Sequence, residues 1–125
     1  MTVCCLFLVV LLCRAASAIL DVTEFGLFSR SSTVPEMFRR ALEQLSGPDL
    51  TKFLLFVTAQ SAVPPPSKKI KIVPMTGSNA SPASFPIAHT CFHRLEVPEY
   101  ETFEQLTAKL QFCIDNVEMA GFGFA

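Results

Sequence analysis

Prolines divide the chain into short segments from residue 19 onward, and their spacing limits the fold to short helices and strands. Pro35 and Pro48 suit the first turn of a helix, where a missing backbone N–H needs no partner. The three consecutive prolines 64–66 exclude a regular helix around them, because proline removes a donor and clashes with the preceding turn. With 125 residues, the sequence predicts one small domain.

Two helices are predicted at the first two prolines. After Pro35, apolar residues recur on one helical face, and Gly47 is expected to stop this helix. The apolar residues are Met37, Phe38, Ala41, Leu42 and Leu45. A second helix is expected to open at Pro48 and to run from Asp49 to Val57, and its apolar run FLLFV predicts burial. We interpret the intervening SGPD as a tight break and a hinge.

Two extended segments follow the three prolines. In KKIKIV, Ile70 and Ile72 alternate with lysines, which is typical of a half-buried strand. After the small-residue loop MTGSNASPAS, a second extended stretch is expected from Phe85 to about Val97. These segments supply the strands of a small sheet.

The last helix has the clearest signals. Thr102 and Gln105 have the spacing of a capping box, and Gly121 suits the C-cap. One helical face is apolar and comprises Phe103, Leu106, Leu110, Cys113, Ile114 and Val117. Because Cys113 lies in this stripe, we interpret it as a small core side chain. The elements together predict an α+β fold, a small sheet of a few strands with flanking helices, the last of which covers one sheet face.

Residues 1–18 form a separate, leader-like apolar segment. The apolar run from Val3 to Cys13 is shorter than the roughly 20 residues that a membrane-spanning helix needs, so membrane association is not expected. It is followed by Ala16-Ser17-Ala18, as in a secretory signal, although no basic residue precedes the run. The alternatives are a cleaved leader on a secreted protein, and a segment that is buried or left by a truncated or wrongly spliced gene. We expect the residues before Ile19 to pack poorly or to form only a loose helix.

Charge and motifs exclude several classes of function. The chain has 10 Lys and Arg residues against 11 Asp and Glu residues, and no basic run that would suit nucleic acid. It contains no phosphate-binding loop, dinucleotide fingerprint or zinc-ligand spacing. We therefore expect no nucleic-acid partner, and no motif predicts a nucleotide cofactor or a standard zinc site.

The segment FPIAHTCFHRLEVPEY places one cysteine between two histidines. If the segment is extended, His89, Cys91 and His93 share one face, and a thiol near imidazoles can act as a nucleophile. A Cys-His dyad for acyl transfer is therefore one interpretation. A metal site is a second, although it lacks a fourth ligand. A structural cysteine flanked by two surface histidines is the third, and the residues alone leave all three open.

The same segment resembles the catalytic-cysteine segment of HECT-type ubiquitin ligases. In that family a His-Thr-Cys-Phe run precedes a leucine-rich strand, a Leu-Pro-x-Tyr turn and a capped terminal helix; here HTCFHRL precedes VPEY. FLLFVTAQSAVP resembles the start of the family's C-terminal lobe, MFRRALEQLS resembles the end of its N-terminal lobe, and GFGFA resembles its tail. The resemblance implies that residues 19–46 are the end of the N-terminal lobe with the hinge, and that residues 47–125 are the C-terminal catalytic lobe.

The resemblance implies a cytoplasmic ubiquitin transferase that needs no cofactor. Cys91 would accept ubiquitin as a glycyl thioester from a ubiquitin-conjugating enzyme and pass it to a lysine of a substrate protein. Thr90 would help to place the thioester, and Phe122 in the tail would orient the incoming lysine. His89 and Phe92 match the motif, and His89 would have a positional role only.

Several positions depart from the family pattern. Ala59 and Ala62 stand where the family usually has a glycine and a basic residue, PPPSKK replaces a Gly-Phe pair, and His93 replaces an asparagine. Most of the N-terminal lobe, which recruits the conjugating enzyme in this family, has no counterpart in the sequence, so we expect weak or no autonomous activity. The alternatives are a non-catalytic ubiquitin-binding or competing module, and a small secreted protein with a Cys91–Cys113 disulfide.

Overall fold

The part of the chain that the structure describes folds into four helices and a four-stranded sheet. The computed structural model describes residues 15–77 and 80–117. The helices are α1 at residues 15–21, α2 at Val34–Gln44, α3 at Gly47–Thr58 and α4 at Phe103–Asp115. The strands are β1 at Thr23–Phe25, β2 at Ile70–Pro74, β3 at Ile87–His89 and β4 at Arg94–Val97. Short 3₁₀ turns occupy Pro66–Lys68 and Thr90–Phe92. This architecture confirms the predicted α+β class.

The sheet has the strand order β1-β2-β4-β3. Strands β1 and β4 run parallel to the central β2, and β3 runs antiparallel to β4. Ile70 and Ile72 are fully buried, as predicted, and Leu95 and Val97 of β4 join them in the same core. Alternation ends at Val73, which is also buried. The Lys71 side chain lies on the opposite side of β2 from Ile70 and Ile72. This side is the open face of the sheet, away from the helices.

Strand β1 was not predicted, and it joins residues 19–46 to the main sheet. Its register with β2 pairs Thr23 with Ile70 and Phe25 with Ile72. The pairing continues beyond the strand, because the Gly26 N–H donates to the Ile72 carbonyl at 3.0 Å. The three residues of β1 are too few to show a periodic pattern in the sequence. Their extended conformation comes from pairing with β2. The division into lobes stays a prediction.

The junction between α2 and α3 differs from the prediction at Gly47. Helix α2 ends at Gln44, and Ser46 is extended with φ −68° and ψ 166°. The Ser46 Oγ accepts a hydrogen bond from the Asp49 N–H at 3.2 Å, which caps α3 at its N-terminus. Gly47 therefore begins α3 instead of stopping α2. The serine cap followed by proline sets the boundary here, and the interpretation of glycine as a stop signal was wrong.

The last helix begins as predicted and ends earlier. The Thr102 Oγ1 accepts from the Gln105 N–H at 3.1 Å, which confirms the N-cap. The predicted apolar stripe is confirmed, with Leu106, Leu110, Ile114 and Val117 buried and Phe103 and Cys113 packed against them. Helix α4 ends at Asp115 with Asn116 as its C-cap, and Gly121, the predicted C-cap, lies outside the described residues. The Asn116 side chain donates to the Phe112 carbonyl at 2.8 Å and so satisfies one of the helix's terminal acceptors.

The residues just before Ile19 pack better than expected. Residues 15–21 are helical, and Ala16 is 1% exposed in the same core cluster as Ile19. A helix is therefore present in this part of the leader-like segment, as one of the two alternatives expected, but burial of Ala16 shows that it is not loose. Residues 1–14 lie outside the described part, so the leader itself stays a prediction. No helix within the described part is long and apolar enough to cross a bilayer.

Candidate active site

Cys91 lies at the turn between two paired strands and faces solvent. The turn Thr90–Phe92 is a 3₁₀ helix that joins β3 to the antiparallel β4. His93 then adopts a left-handed conformation, with φ 50° and ψ 43°, and the chain reverses. The predicted continuous extended stretch is therefore wrong at this point. Side chains do not alternate in a helical turn, so the expected shared face of Cys91 and its two flanking histidines does not form.

His89 contacts a carboxylate on the neighbouring strand. Its Nε2 lies 2.8 Å from the Glu96 Oε2, and both side chains are on the open face of the β3–β4 hairpin. Among the described residues, no hydrogen bond joins the Cys91 thiol to either flanking histidine. The geometry therefore does not support the Cys-His dyad.

His93 joins the Cys91 turn to the segment before β2. Its Nδ1 lies 3.0 Å from the Lys68 carbonyl oxygen, and because a carbonyl only accepts, Nδ1 carries the proton. The His93 carbonyl accepts from the Lys71 N–H at 2.8 Å, and its N–H donates to the Thr90 carbonyl at 3.3 Å. The left-handed backbone at this position also suits the asparagine of the family pattern, since Asn tolerates this conformation well.

Residues joined by these hydrogen bonds line one side of a cleft beside the Cys91 thiol. The cleft has a volume of ≈ 210 Å³ and is lined by Ser67, Lys68, Lys69, Lys71, Cys91, Phe92 and His93. Phe92 is 76% exposed at its edge. The lysines were predicted only as the polar side of a strand. Their position next to the thiol follows from the parallel pairing of β2 with β4, which no local sequence pattern reveals.

The segment that leads to Cys91 is anchored to the start of α4. The Tyr100 hydroxyl donates to the Ser84 carbonyl at 2.6 Å, and the Gln105 Nε2 donates to the Pro82 carbonyl at 2.9 Å. Burial of Tyr100, with a smaller effect of the nearby Cys113, raises the pKa of its hydroxyl well above the usual value. Tyr100 therefore stays protonated and continues to donate. The Val-Pro-Glu-Tyr turn was recognised in the sequence, but this anchoring role was not.

An exposed aromatic pair lies between this segment and α4. The Phe85 and Phe112 rings have centroids 4.8 Å apart, and the two residues are 42% and 54% exposed. The Lys109 Nζ lies 4.2 Å from the Phe85 ring centroid. We call these three residues the Phe85–Phe112 patch. Phe112 lies off the predicted core stripe of α4, and this was the only sign of the patch in the sequence.

The second described cysteine is chemically different from Cys91. Cys113 is partly buried, and desolvation raises the pKa of its thiol to about 11, against a smaller lowering effect of Lys109. This agrees with its interpretation as a core side chain. Cys91 and Cys113 are both free thiols, so the structure does not contain the alternative disulfide.

The remaining predicted site residues have mixed outcomes. Thr90 opens the turn and is partly buried, while Phe122 lies outside the described residues. Within residues 15–77 and 80–117, no group of three or more His, Cys, Asp or Glu side chains could hold a metal ion. The geometry therefore gives the metal interpretation of Cys91 no support.

Comparison with known proteins identifies the family. The family model described as "HECT-domain (ubiquitin-transferase)" matches residues 14–125. The E3 ubiquitin-protein ligase UPL1 of Arabidopsis thaliana is 34% identical over 110 residues, which are 82% of this chain and 3% of that protein. The E3 ubiquitin-protein ligase NEDD4 of Homo sapiens is 34% identical over 101 residues, 73% of this chain and 7% of that protein. The E3 ubiquitin-protein ligase HUWE1 of Mus musculus is 34% identical over 110 residues, 82% of this chain and 2% of that protein.

The α+β fold is consistent with this family match. The chain belongs to the HECT-domain family. It spans between 2% and 7% of the length of these three relatives.

Proposed function

We propose that Cys91 is the residue at which this HECT-family chain carries ubiquitin as a glycyl thioester. The observation that carries the proposal is the placement of Cys91 as an exposed thiol on a turn fixed by two paired strands. A transfer cysteine must be reached first by a large donor and then by a large acceptor. A turn at the end of a hairpin permits both approaches, whereas a core position such as that of Cys113 permits neither.

Two acyl transfers complete the proposed reaction. In the first, the Cys91 thiolate attacks the carbonyl carbon of the thioester between ubiquitin and a conjugating enzyme; a new C–S bond forms, and the conjugating enzyme's thiolate leaves. In the second, the amine of a substrate lysine attacks the new thioester. A C–N bond forms, the amine loses a proton to water, and the Cys91 thiolate leaves.

The Phe85–Phe112 patch supports contact with ubiquitin on the β3 side of the site. Phe85 lies two residues before β3, the strand that leads to the Cys91 turn, and exposed aromatic residues are typical anchors of protein interfaces. We propose that ubiquitin contacts this patch while its C-terminus is on Cys91. Binding there would hold the donor in place over both transfers.

The neighbouring residues are assigned supporting roles in the same proposal. Thr90 begins the turn and would place the thioester, and His89, held by Glu96, would keep the strand end in position. Phe122 would orient the incoming lysine. The proposed partners are ubiquitin, a conjugating enzyme and substrate proteins, and the proposed location is the cytoplasm, where these enzymes act.

A thioester assay tests the proposal. The chain is incubated with activating enzyme, conjugating enzyme and ubiquitin, with and without an N-terminal lobe from a relative added in trans. We expect an adduct that a reducing agent removes, that Cys91→Ala abolishes and that Cys113→Ala retains. An adduct that persists in Cys91→Ala, or no adduct even with the added lobe, would contradict the assignment of Cys91.

A non-catalytic ubiquitin-binding module is the second candidate function. The exposed aromatic pair favours it, because such a patch can bind ubiquitin without any reaction at Cys91. The two candidates differ in one result. A module of this kind would bind ubiquitin equally well as wild type and as Cys91→Ala, and neither form would give a thioester.

A further inference from the structure

A row of ionisable residues runs across all four strands on the open face of the sheet. Its members, in strand order, are Glu24, Lys71, Arg94 and His89. Lys71 and Arg94 are adjacent at the centre of the row, and both are exposed. Neighbouring strands lie about 5 Å apart, so these two cations repel each other and lower the stability of the sheet. We call Lys71 and Arg94 the cationic pair, and its presence needs an explanation other than folding.

The carboxylates beside the cationic pair contact other groups. The Glu24 Oε1 lies 3.5 Å from the Lys69 Nζ, and the Glu96 Oε2 lies 2.8 Å from the His89 Nε2. In the part of the chain that the structure describes, no carboxylate lies within salt-bridge distance of either member of the pair. The pair is therefore available to an anionic group of another molecule.

The cationic pair is continuous with the cleft beside Cys91. Lys71 lines that cleft together with Lys68 and Lys69, and no acidic residue is among the described residues that line it. Lys71 also lines a neighbouring cavity, to which Arg94 contributes. These four cations are four of the chain's 10 Lys and Arg residues, although the formal net charge of the whole chain is −1. We call Lys68, Lys69, Lys71 and Arg94 the basic track.

We propose that the basic track selects substrate proteins in which aspartate or glutamate flanks the acceptor lysine. The inference rests on the proposed function, in which a substrate lysine attacks the thioester on Cys91, and it names the class of segment that carries this lysine. The acidic side chains bind the track while the lysine amine reaches the thioester. The bonds that form and break are those of the proposed second transfer.

The geometry limits how far the acidic residues can be from the lysine. Arg94 follows Cys91 by three residues, and three residues of chain span at most about 10 Å. The lysines of the track line the same cleft as the thiol. An acidic residue within about three positions of the acceptor lysine can therefore reach the track while the lysine is at Cys91.

Charge contributes to this selection in two ways. A lysine without acidic neighbours brings only its own ammonium group, which the basic track repels. Acidic neighbours replace the repulsion with attraction, so the neutral segment is disfavoured and the acidic one is favoured. The contacts are exposed, so each is modest and is screened by salt. Several of them together should give a preference of roughly tenfold for the acidic segment.

Binding of short peptides to the 125-residue chain tests the proposal without any transfer reaction. One peptide has a central lysine with two aspartates on each side, and the matched peptide has asparagines in their place. Fluorescence anisotropy is expected to show roughly tenfold tighter binding of the aspartate peptide, with a difference that shrinks as the salt concentration rises. K71Q/R94Q is expected to lose most of this preference. Lys52→Gln, on helix α3 and outside the track, is expected to keep it.

Reversal of charge makes the same test independent of a simple loss of structure. K71E/R94E is expected to prefer a peptide with arginines at the aspartate positions, and the charge-conserving K71R/R94K is expected to keep the wild-type preference. Equal affinity of wild type for the aspartate and asparagine peptides, or a preference that survives in K71Q/R94Q, overturns the inference. Tighter binding of a single-stranded oligonucleotide than of the aspartate peptide also overturns it, because the track would then be a general polyanion surface.

Single-turnover transfer separates this inference from the proposed function. The thioester on Cys91 is formed first, and each peptide is then added as the lysine acceptor. The half-saturating concentration of the aspartate peptide is expected to be lower by roughly tenfold, and K71Q/R94Q is expected to remove this difference. Equal transfer to both peptides overturns the inference and leaves the proposed function intact. Absence of a thioester counts against the proposed function alone, and the peptide affinities then decide the inference.

Discussion

The His93 Nδ1 donates a hydrogen bond to the Lys68 carbonyl oxygen at 3.0 Å, and this bond joins the turn that carries Cys91 to the opposite wall of its cleft. The same residue uses its backbone carbonyl to bind the Lys71 N–H. The family pattern has an asparagine in place of His93, and both residues suit a left-handed backbone. In this chain the longer imidazole reaches the neighbouring segment.

Substitution of His93 tests this relationship. His93→Ala removes the side-chain bond and is expected to lower the free energy of unfolding by about 1 kcal/mol. His93→Gly removes the same bond but relieves the cost of a positive φ, so its loss of stability should be smaller. Urea unfolding of both variants and wild type measures the difference. An unchanged stability in His93→Ala would show that the bond contributes little.

The end of helix α3 offers a stabilising substitution. Ala59 is left-handed with φ 62° at the C-cap, where the family usually has glycine. Ala59→Gly should raise the free energy of unfolding by about 1 kcal/mol, because a Cβ is disfavoured in this conformation. Ala62→Gly is the control: Ala62 is not among the residues with positive φ, so the same change should be neutral or destabilising. Equal effects of the two changes in thermal unfolding would contradict this account.

Deprotonation of Cys113 should destabilise the fold at alkaline pH. Burial raises the pKa of this thiol from 9.0 to about 11, so the folded state keeps the proton more tightly than the unfolded chain. This contribution is complete below pH 9 and is lost as the pH rises toward 11. Wild type should therefore lose more stability than Cys113→Ala over this range in thermal melts. Burial raises the pKa of Tyr100 in both proteins, so this larger part of its contribution cancels in the comparison, whereas the smaller effect of Cys113 on Tyr100 is present in wild type alone.

The Phe85–Phe112 patch should contribute to ubiquitin binding. Phe112→Ala is expected to weaken the binding of ubiquitin by roughly tenfold, as is common for an aromatic anchor. Its effect on folding should be small, since Phe112 is 54% exposed. Leu27→Ala is the matched control, because Leu27 is 82% exposed and is not part of the patch. Titration of labelled ubiquitin, followed by nuclear magnetic resonance, measures the affinity of each variant. Equal affinities of Phe112→Ala and Leu27→Ala would show that the patch is not part of the interface.

Local signals predicted the helices well and the site less well. Pro35 and Pro48 mark helix starts through their restricted backbone, and Thr102 marks one through its bond to the Gln105 N–H, so these causes lie within a few residues of sequence. The buried Ile70 and Ile72 follow from alternation in the same way. Each of these features depends on neighbours in the chain.

The details of the site depend on contacts between distant segments. The Cys91 turn was predicted as extended because three residues are too few to show a helical period. The cleft requires β2 to pair with β4, and the Phe85–Phe112 patch requires α4 to lie beside the segment before β3. The motif around Cys91 therefore indicated the residue and its family, whereas only the tertiary fold reveals what surrounds it.

A pulse-chase measurement tests the central claim most directly. Labelled ubiquitin on a conjugating enzyme is mixed with the chain and an excess of a lysine acceptor, and all species are followed over time on non-reducing gels. The account predicts that label appears first on Cys91 as a reductant-sensitive adduct and then on the acceptor, with both steps lost in Cys91→Ala and retained in Cys113→Ala. Label that reaches the acceptor at the same rate in Cys91→Ala would contradict the account.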